Sequence, residues 1–120
     1  MGENYITIPE NKGTINISED VIVSMVKNSL ADIEGFAGLA STTGAELAEW
    51  VGIKTAPKGI KVLMIDGKLV VNVIVLIKYG SNLLKTAEKI QDAVTLAVEA
   101  ATGFNEAVVN VLVSGITFEK

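Results

Sequence analysis

The chain has no cysteine, no histidine and no arginine, and all ten of its basic residues are lysines. Those absences remove much of the usual catalytic chemistry. Without a thiol there is no thiolate nucleophile and no cysteine ligand for zinc or an iron–sulfur cluster. Without histidine the chain lacks the side chain that titrates nearest neutral pH and the commonest metal ligand. A disulfide framework is excluded too, which fits a cytoplasmic location. Aromatic residues make up only 5% of the sequence, so valine, isoleucine, leucine and alanine have to fill any core.

Long apolar runs are also missing. The longest, Val73 to Ile77, falls far short of the roughly 18 residues a spanning helix needs, so direct membrane insertion is not expected. The start, MGENYITIPEN, has no basic stretch leading into an apolar block, and no signal peptide is expected. A net charge of −4 argues against nucleic acid, whose phosphates call for clustered cations. Lys54, Lys58 and Lys61 are only a thin version of such a cluster.

What is present is a single globular domain. At 120 residues, 49% of them hydrophobic and 20% charged, the chain can hide roughly two-thirds of its unfolded surface. Residues 1–12 are polar with isolated Ile6 and Ile8 and read as a flexible N-terminal arm or a short strand, leaving 13–120 as the domain. Ser18 is placed to cap a helix carrying the stripe Ile22, Met25, Val26, Leu30 and Ile33, with Gly35 as its left-handed stop. A short strand over Phe36–Ala40 should follow, then an irregular segment with a two-turn helix near Gly44–Val51.

The strongest local signal is Asp66-Gly67, a two-residue hairpin turn between Ile60–Ile65 and Lys68–Tyr79. In that register Ile65 faces Lys68, Leu63 faces Val70 and Lys61 faces Asn72. The apolar set Ile60, Val62, Met64, Leu69, Val71, Val73, Val75, Ile77 and Tyr79 then lies on one side and marks the core face. Ser81 or Asn82 caps a second helix running to about Ala101, with Leu83, Ala87, Ile90, Val94, Val98 and Ala101 as its buried stripe. A last strand over about Ala107–Val113 closes the order α-β-β-β-α-β. The expected architecture is α+β: a two-layer sandwich whose mixed sheet holds a long central hairpin, with both helices on one face.

The other face of that sheet is unusual. The hairpin puts Lys61, Leu63, Ile65, Lys68, Val70, Asn72, Ile74, Leu76 and Lys78 on it, and the last strand adds Val108, Asn110, Leu112 and Ser114. About half of these are aliphatic where a solvent-facing antiparallel sheet should be mostly polar. Eight stand out: Leu63, Val70, Asn72, Ile74, Leu76, Val108, Asn110 and Leu112. Two kinds of cover compete: the chain itself, through the 41–57 segment with Trp50 or the N-terminal arm, or a second subunit or partner protein. These eight residues are the candidate interaction face. Asn72 and Asn110, polar within aliphatic strands, pair with each other, sit at an interface that fixes register, or are plain exposed amides on a sheet face, and the last is the ordinary expectation.

Catalytic candidates are weak. The carboxylate pairs Glu46/Glu49 and Glu88/Asp92 have helical spacing but no convergent polar partners, and such pairs are usually solvated surface. Thr42, Thr43 and Ser114 have no base beside them. Neither Gly35-Phe36-Ala37-Gly38 nor Lys58-Gly59 has phosphate-loop spacing. No catalytic residue, no metal site and no cofactor is expected.

The ordered set GTINISEDVI (13–22), EGFAGL (34–39), KGIKV (58–62), VNVIVLIKYG (71–80), IQDAV (90–94) and TGFNEAVVNVLVSGITF (102–118) resembles the alkaline shock protein family, also described as an envelope stress response family. The resemblance implies a small non-enzymatic bacterial protein, abundant in the cytoplasm and held at the membrane periphery through an anchored partner. Some members carry longer C-terminal tails, and roles that depend on such tails are not expected here. Two functions follow. One is a scaffold or adaptor of the envelope and alkaline stress response that self-associates, docks on a membrane-anchored protein, or both. The other is a regulatory binding module acting on an enzyme or on transcription. The element order also resembles iron–sulfur assembly domains, but those need the cysteines this chain lacks.

Overall fold

In a computed structural model, residues 5–40, 42–43, 55–56, 59–103 and 107–118 are described. Their elements run β1 (Tyr5–Glu10), β2 (Gly13–Ser18), α1 (Glu19–Leu30), β3 (Phe36–Leu39), β4 (Thr42–Thr43), β5 (Thr55–Ala56), β6 (Ile60–Ile65), β7 (Lys68–Lys78), α2 (Leu83–Thr102) and β8 (Val108–Thr117). The expected helix near 44–51 lies outside the described residues.

Local chemistry accounts for most boundaries. The Ser18 hydroxyl accepts from the Asp20 N–H at 3.2 Å, and Glu19 and Asp20 sit in the first turn of α1, where the helix dipole favours negative charge. At α2 the Asn82 side chain accepts from the Lys85 N–H at 2.9 Å, and Gly103, at φ 80°, closes the helix by donating to the Glu99 carbonyl. Asp66 (φ 53°) and Gly67 (φ 80°) both take positive φ, as a two-residue hairpin turn between twisted strands requires. The β6–β7 register pairs Ile65 with Lys68, Leu63 with Val70 and Lys61 with Asn72, as the sequence predicts.

The expectation at Gly35 needs correcting. Helix α1 ends at Leu30, and successive turns (Ala31 N–H to Asn28, Ile33 N–H to Leu30, Phe36 N–H to Ile33) carry the chain on to β3. Gly35 is therefore not the helix cap, although its φ is +93°. It stands where the chain passes closest to the start of α2, and a Cβ there would come within 2.9 Å of the Ser81 hydroxyl oxygen.

Strand β7 is the axis of the sheet. Along Val70–Lys78 it pairs in parallel with β8. Lys68–Val73 pair antiparallel with β6, and Val75–Ile77 pair antiparallel with β3. Because β8 accompanies β7 along both stretches, β3 and β6 must share the opposite edge, end to end. The hand-over falls on Ile74. Its carbonyl accepts from the Ala40 N–H at 2.9 Å, and its N–H donates to the Gly59 carbonyl at 2.8 Å. The chain thus leaves the sheet at Ala40 and returns at Gly59, and the base of the departing segment pairs with itself as β4–β5.

The core lies on one side of β7. Leu69, Val71, Val73, Val75 and Ile77 are fully buried against Ile22, Val26 and Leu30 of α1 and Ile90, Val94 and Val98 of α2, so both helices pack on this one face. The architecture is the expected α+β arrangement, preceded by an additional hairpin. Met64 and Tyr79, placed in the core by alternation alone, are exposed, as is Leu83. All three lie at the ends of their elements, beyond the reach of the packed layer.

Of the two readings of the N-terminal stretch, arm or short strand, the described residues form the strand. From Tyr5 it is β1, paired antiparallel with β2, and Ile6 is buried in the main core. The reason is its period of two: Ile6 meets Ile17 and Ile8 meets Ile15, and such cross-strand pairs stabilise a hairpin. A Thr7 hydroxyl bond to Asn16 at 2.7 Å adds a polar tie.

The two strands flanking β7 are each tied to a helix by one side chain. Glu19 Oε2 accepts the Val62 N–H of β6 at 3.0 Å while its Oε1 lies 3.6 Å from the Lys61 ammonium. Gln91 Nε2 donates to the Val109 carbonyl of β8 at 2.9 Å. Unpaired backbone groups on outer strands invite unwanted pairing, and these contacts occupy one on each side.

Gly59 has the tightest surroundings of the described glycines that form the sheet edge. Its φ is +80°, and a Cβ would stand 2.9 Å from Leu39 Cβ and 3.0 Å from the Ala40 carbonyl oxygen. Substitution Gly59→Ala should lower stability by about 1–3 kcal/mol, read as a drop in the urea midpoint, whereas Gly67→Ala, with open space, carries only the conformational cost.

Candidate functional site

The outer face of the sheet is a series of rungs set by strand register. Leu63, Val70 and Val108 form one rung across β6, β7 and β8. Lys61, Asn72 and Asn110 form the next. Ile74 and Leu112 follow, beside the gap where Ala40 leaves and Gly59 returns. Leu76 comes last, opposite Gly38 on one side and Gly115 on the other. All eight residues of the candidate interaction face therefore project from one side of the sheet.

They differ in access. Val70 (6% exposed), Asn72 (1%) and Ile74 (0%) on the central strand are buried within the chain. Leu63, Leu76, Asn110 and Leu112 are half-buried, and Val108 is exposed. The accessible apolar surface is thus a border around a closed centre. Ile65, at the hairpin end of β6, is exposed on this side, where the strand alternation places it, although it is not one of the eight candidate residues.

Around Ile74 the partly buried hydrophobics are Ala40, Leu63 and Leu112, a cluster separate from the main core. The sequence proposed residues 41–57, with Trp50, as one cover for this face; that segment's side chains lie outside the described residues. The carboxylate pair Glu46/Glu49 lies there too.

Leu76 packs by a different device. A Cβ on Gly115 would sit 3.1 Å from Leu76 Cδ2, so the leucine occupies space the glycine leaves free. Gly115 follows a register shift in the β7–β8 ladder, which passes from Val75↔Val113 to Leu76↔Gly115 and leaves Ser114 as the extra residue. Such a bulge bends a strand locally.

The polar rung is the chemical exception. Asn110 Nδ2 donates to Asn72 Oδ1 at 2.8 Å, so the two amides do pair. Asn72, one of the exposed-or-paired alternatives, is buried rather than exposed. Among the described residues its own Nδ2 has no hydrogen-bond partner. A buried donor left unpaired costs about 1–3 kcal/mol. The sheet therefore keeps, between Val70 and Ile74, a polar side chain that opposes stability, as residues that fix register or serve an interface commonly do.

For catalysis the arrangement offers little. Among the described residues no group of His, Cys, Asp or Glu could hold a metal ion. Glu88 and Asp92 are exposed along α2. Lys61 lies 3.6 Å from the Glu19 carboxylate, while Lys54 and Lys58 lie outside the described residues. Among the described residues no helix is long and apolar enough to cross a membrane.

Known sequences match this layout from β1 to the end of β8. A model of the alkaline shock protein 23 family, described as having a cell envelope-related function, matches residues 7–118. The uncharacterised protein Spy1614 of Streptococcus pyogenes is 28% identical over 113 residues, covering 92% of this chain and 93% of its own. The uncharacterised protein YloU of Bacillus subtilis is 24% identical over 106 residues, covering 87% and 88%. No solved structure matches.

The amide pair can be tested by a double-mutant cycle. Asn110→Val alone leaves the buried Asn72 amide with no side-chain partner among the described residues and should cost about 1–3 kcal/mol by chemical denaturation. Asn72→Val/Asn110→Val together should recover most of that loss, giving a clearly non-additive cycle.

Proposed function

The chain belongs to the alkaline shock protein 23 family, whose function is cell envelope-related, and on that premise we propose that it is a non-enzymatic scaffold or adaptor. It works through protein–protein contacts made by the border of its outer sheet face. The partner is a second copy, a membrane-anchored protein, or both, which holds the molecule at the inner side of the envelope without direct insertion.

One observation carries this reading. The face keeps aliphatic side chains at its accessible border, with Leu63, Val108 and Leu112 beside the exposed Ile65, where water alone would favour polar residues. Apolar borders around a packed centre are what an association surface needs, because contact removes them from water without disturbing the core. The family description supports the cellular setting, and the absence of cysteine, histidine and arginine from the sequence supports a role without catalysis.

The test uses Val108→Glu, since Val108 is exposed and its replacement leaves the core intact. Self-association measured by sedimentation over a range of concentrations should weaken by about tenfold or more, as should co-purification with the membrane fraction, while the melting temperature stays near that of the parent. A parent protein that remains monomeric at high concentration, together with membrane association untouched by the substitution, overturns the proposal.

A further inference from the structure

A cleft of about 280 Å³ opens where β7 gives way to α2. Ser81, Asn82, Lys85, Thr86 and Lys89 line it from the turn and the helix, and Glu34 lines it from the loop before β3. None of these residues belongs to the outer sheet face, so the cleft is independent of the association surface.

Its chemistry is mostly that of donors. The 20-residue helix α2 begins here with no acidic residue in its first turn. Asn82 takes the Lys85 N–H through its side chain and the Thr86 N–H through its carbonyl. The N–H groups of Leu83 and Leu84, at the first two helical positions, have no acceptor within the helix. Lys85 and Lys89 stand one turn apart on the same side, and among the described residues neither is ion-paired. A lysine at the positive end of a helix dipole is unfavourable unless a negative charge joins it.

A second observation comes from Thr86. It is 5% exposed, it lines the cleft, and its hydroxyl has no hydrogen-bond partner among the described residues. The Ser81 hydroxyl converges on the same place. The two oxygens lie 2.9 and 3.0 Å from the point that a Cβ on Gly35 would occupy. Glycine at that position, in a left-handed conformation at φ +93°, leaves both hydroxyls uncovered.

The geometry points to a binding site for a single phosphoryl group. Two ammonium groups, two hydroxyls and a helix N-terminus supply donors to several oxygens at once, which is how proteins hold phosphate. Tyr79 and Leu84, both 70% exposed, flank the lining residues in the chain. The phosphoryl group therefore comes either free in solution or on the head of an amphiphile whose apolar part rests on those side chains.

Titration of the intact protein with inorganic phosphate at constant ionic strength, followed by amide NMR, reads the site directly. Saturable shifts confined to Gly35 and Ser81–Thr86 are expected, with no response to matched chloride. Lys85→Gln and Thr86→Val should each weaken binding by about tenfold. Thr86→Val should leave the melting temperature equal or higher, because the hydroxyl has no bond to another described residue to lose. Co-flotation with phosphatidylglycerol vesicles, lost in Lys85→Gln, assigns the lipid source, and response to inorganic phosphate without co-flotation assigns the free one. Absence of both responses overturns the site, as does phosphate binding that chloride reproduces or that Lys85→Gln and Thr86→Val leave unchanged.

Discussion

Everything in this fold is referred to the strand Lys68–Lys78, which has to satisfy neighbours on both edges and on both faces. One edge is covered by a single parallel partner. The other is shared by two segments that come from either side of an excursion in the chain, and both hydrogen bonds of the Ile74 backbone are spent on that junction. Hydrophobic burial fixes which face is which, since Leu69, Val71, Val73, Val75 and Ile77 must all meet the helices. Once that face is set, alternation sends Val70, Asn72, Ile74 and Leu76 to the opposite side whether or not the solvent suits them.

The outer face inherits its character from this constraint. A strand flanked on both edges is shielded by its neighbours, so its outward residues tend to be apolar even where no helix covers them. That explains Val70 and Ile74, and it makes Asn72 the informative residue. A valine there would fit the rung equally well by size and would remove an unsatisfied donor. Asparagine instead meets Asn110 across the parallel ladder and marks one register among the slips that a run of valines would otherwise permit. A face that is closed at its centre and apolar at its border is what the proposed association calls for.

Much of this was legible in the sequence because the signals were local. Asp66-Gly67 sets the hairpin and its register, Ser18 and Asn82 set the helix starts, and Gly103 sets an end. The parallel placement of the last strand follows from a strand, a long helix and a second valine-rich strand. The misses have a common physical origin. Met64, Tyr79 and Leu83 have the right periodicity but lie where packed layers end, which periodicity does not encode. Gly35 was read as a cap because a left-handed glycine after a helix usually is one, whereas here its freedom serves close approach to Ser81 and Thr86. Ile6 and Ile8 alone left arm and strand both open, and their partners Ile15 and Ile17 decide for the strand. The closed centre of the candidate face was hidden for a similar reason: burial of Ile74 depends on which segments converge on one residue, and no window of sequence contains them both.

The carboxylate of Glu19 has one more consequence. The Val62 amide is held by this side chain from the first turn of α1 instead of by a neighbouring strand. Its hydrogen exchange therefore reports on the docking of the helix rather than on the opening of the sheet. Within a ladder of amides that open together, Val62 is a built-in clock for a separate and smaller event, the release of α1 from the edge it guards.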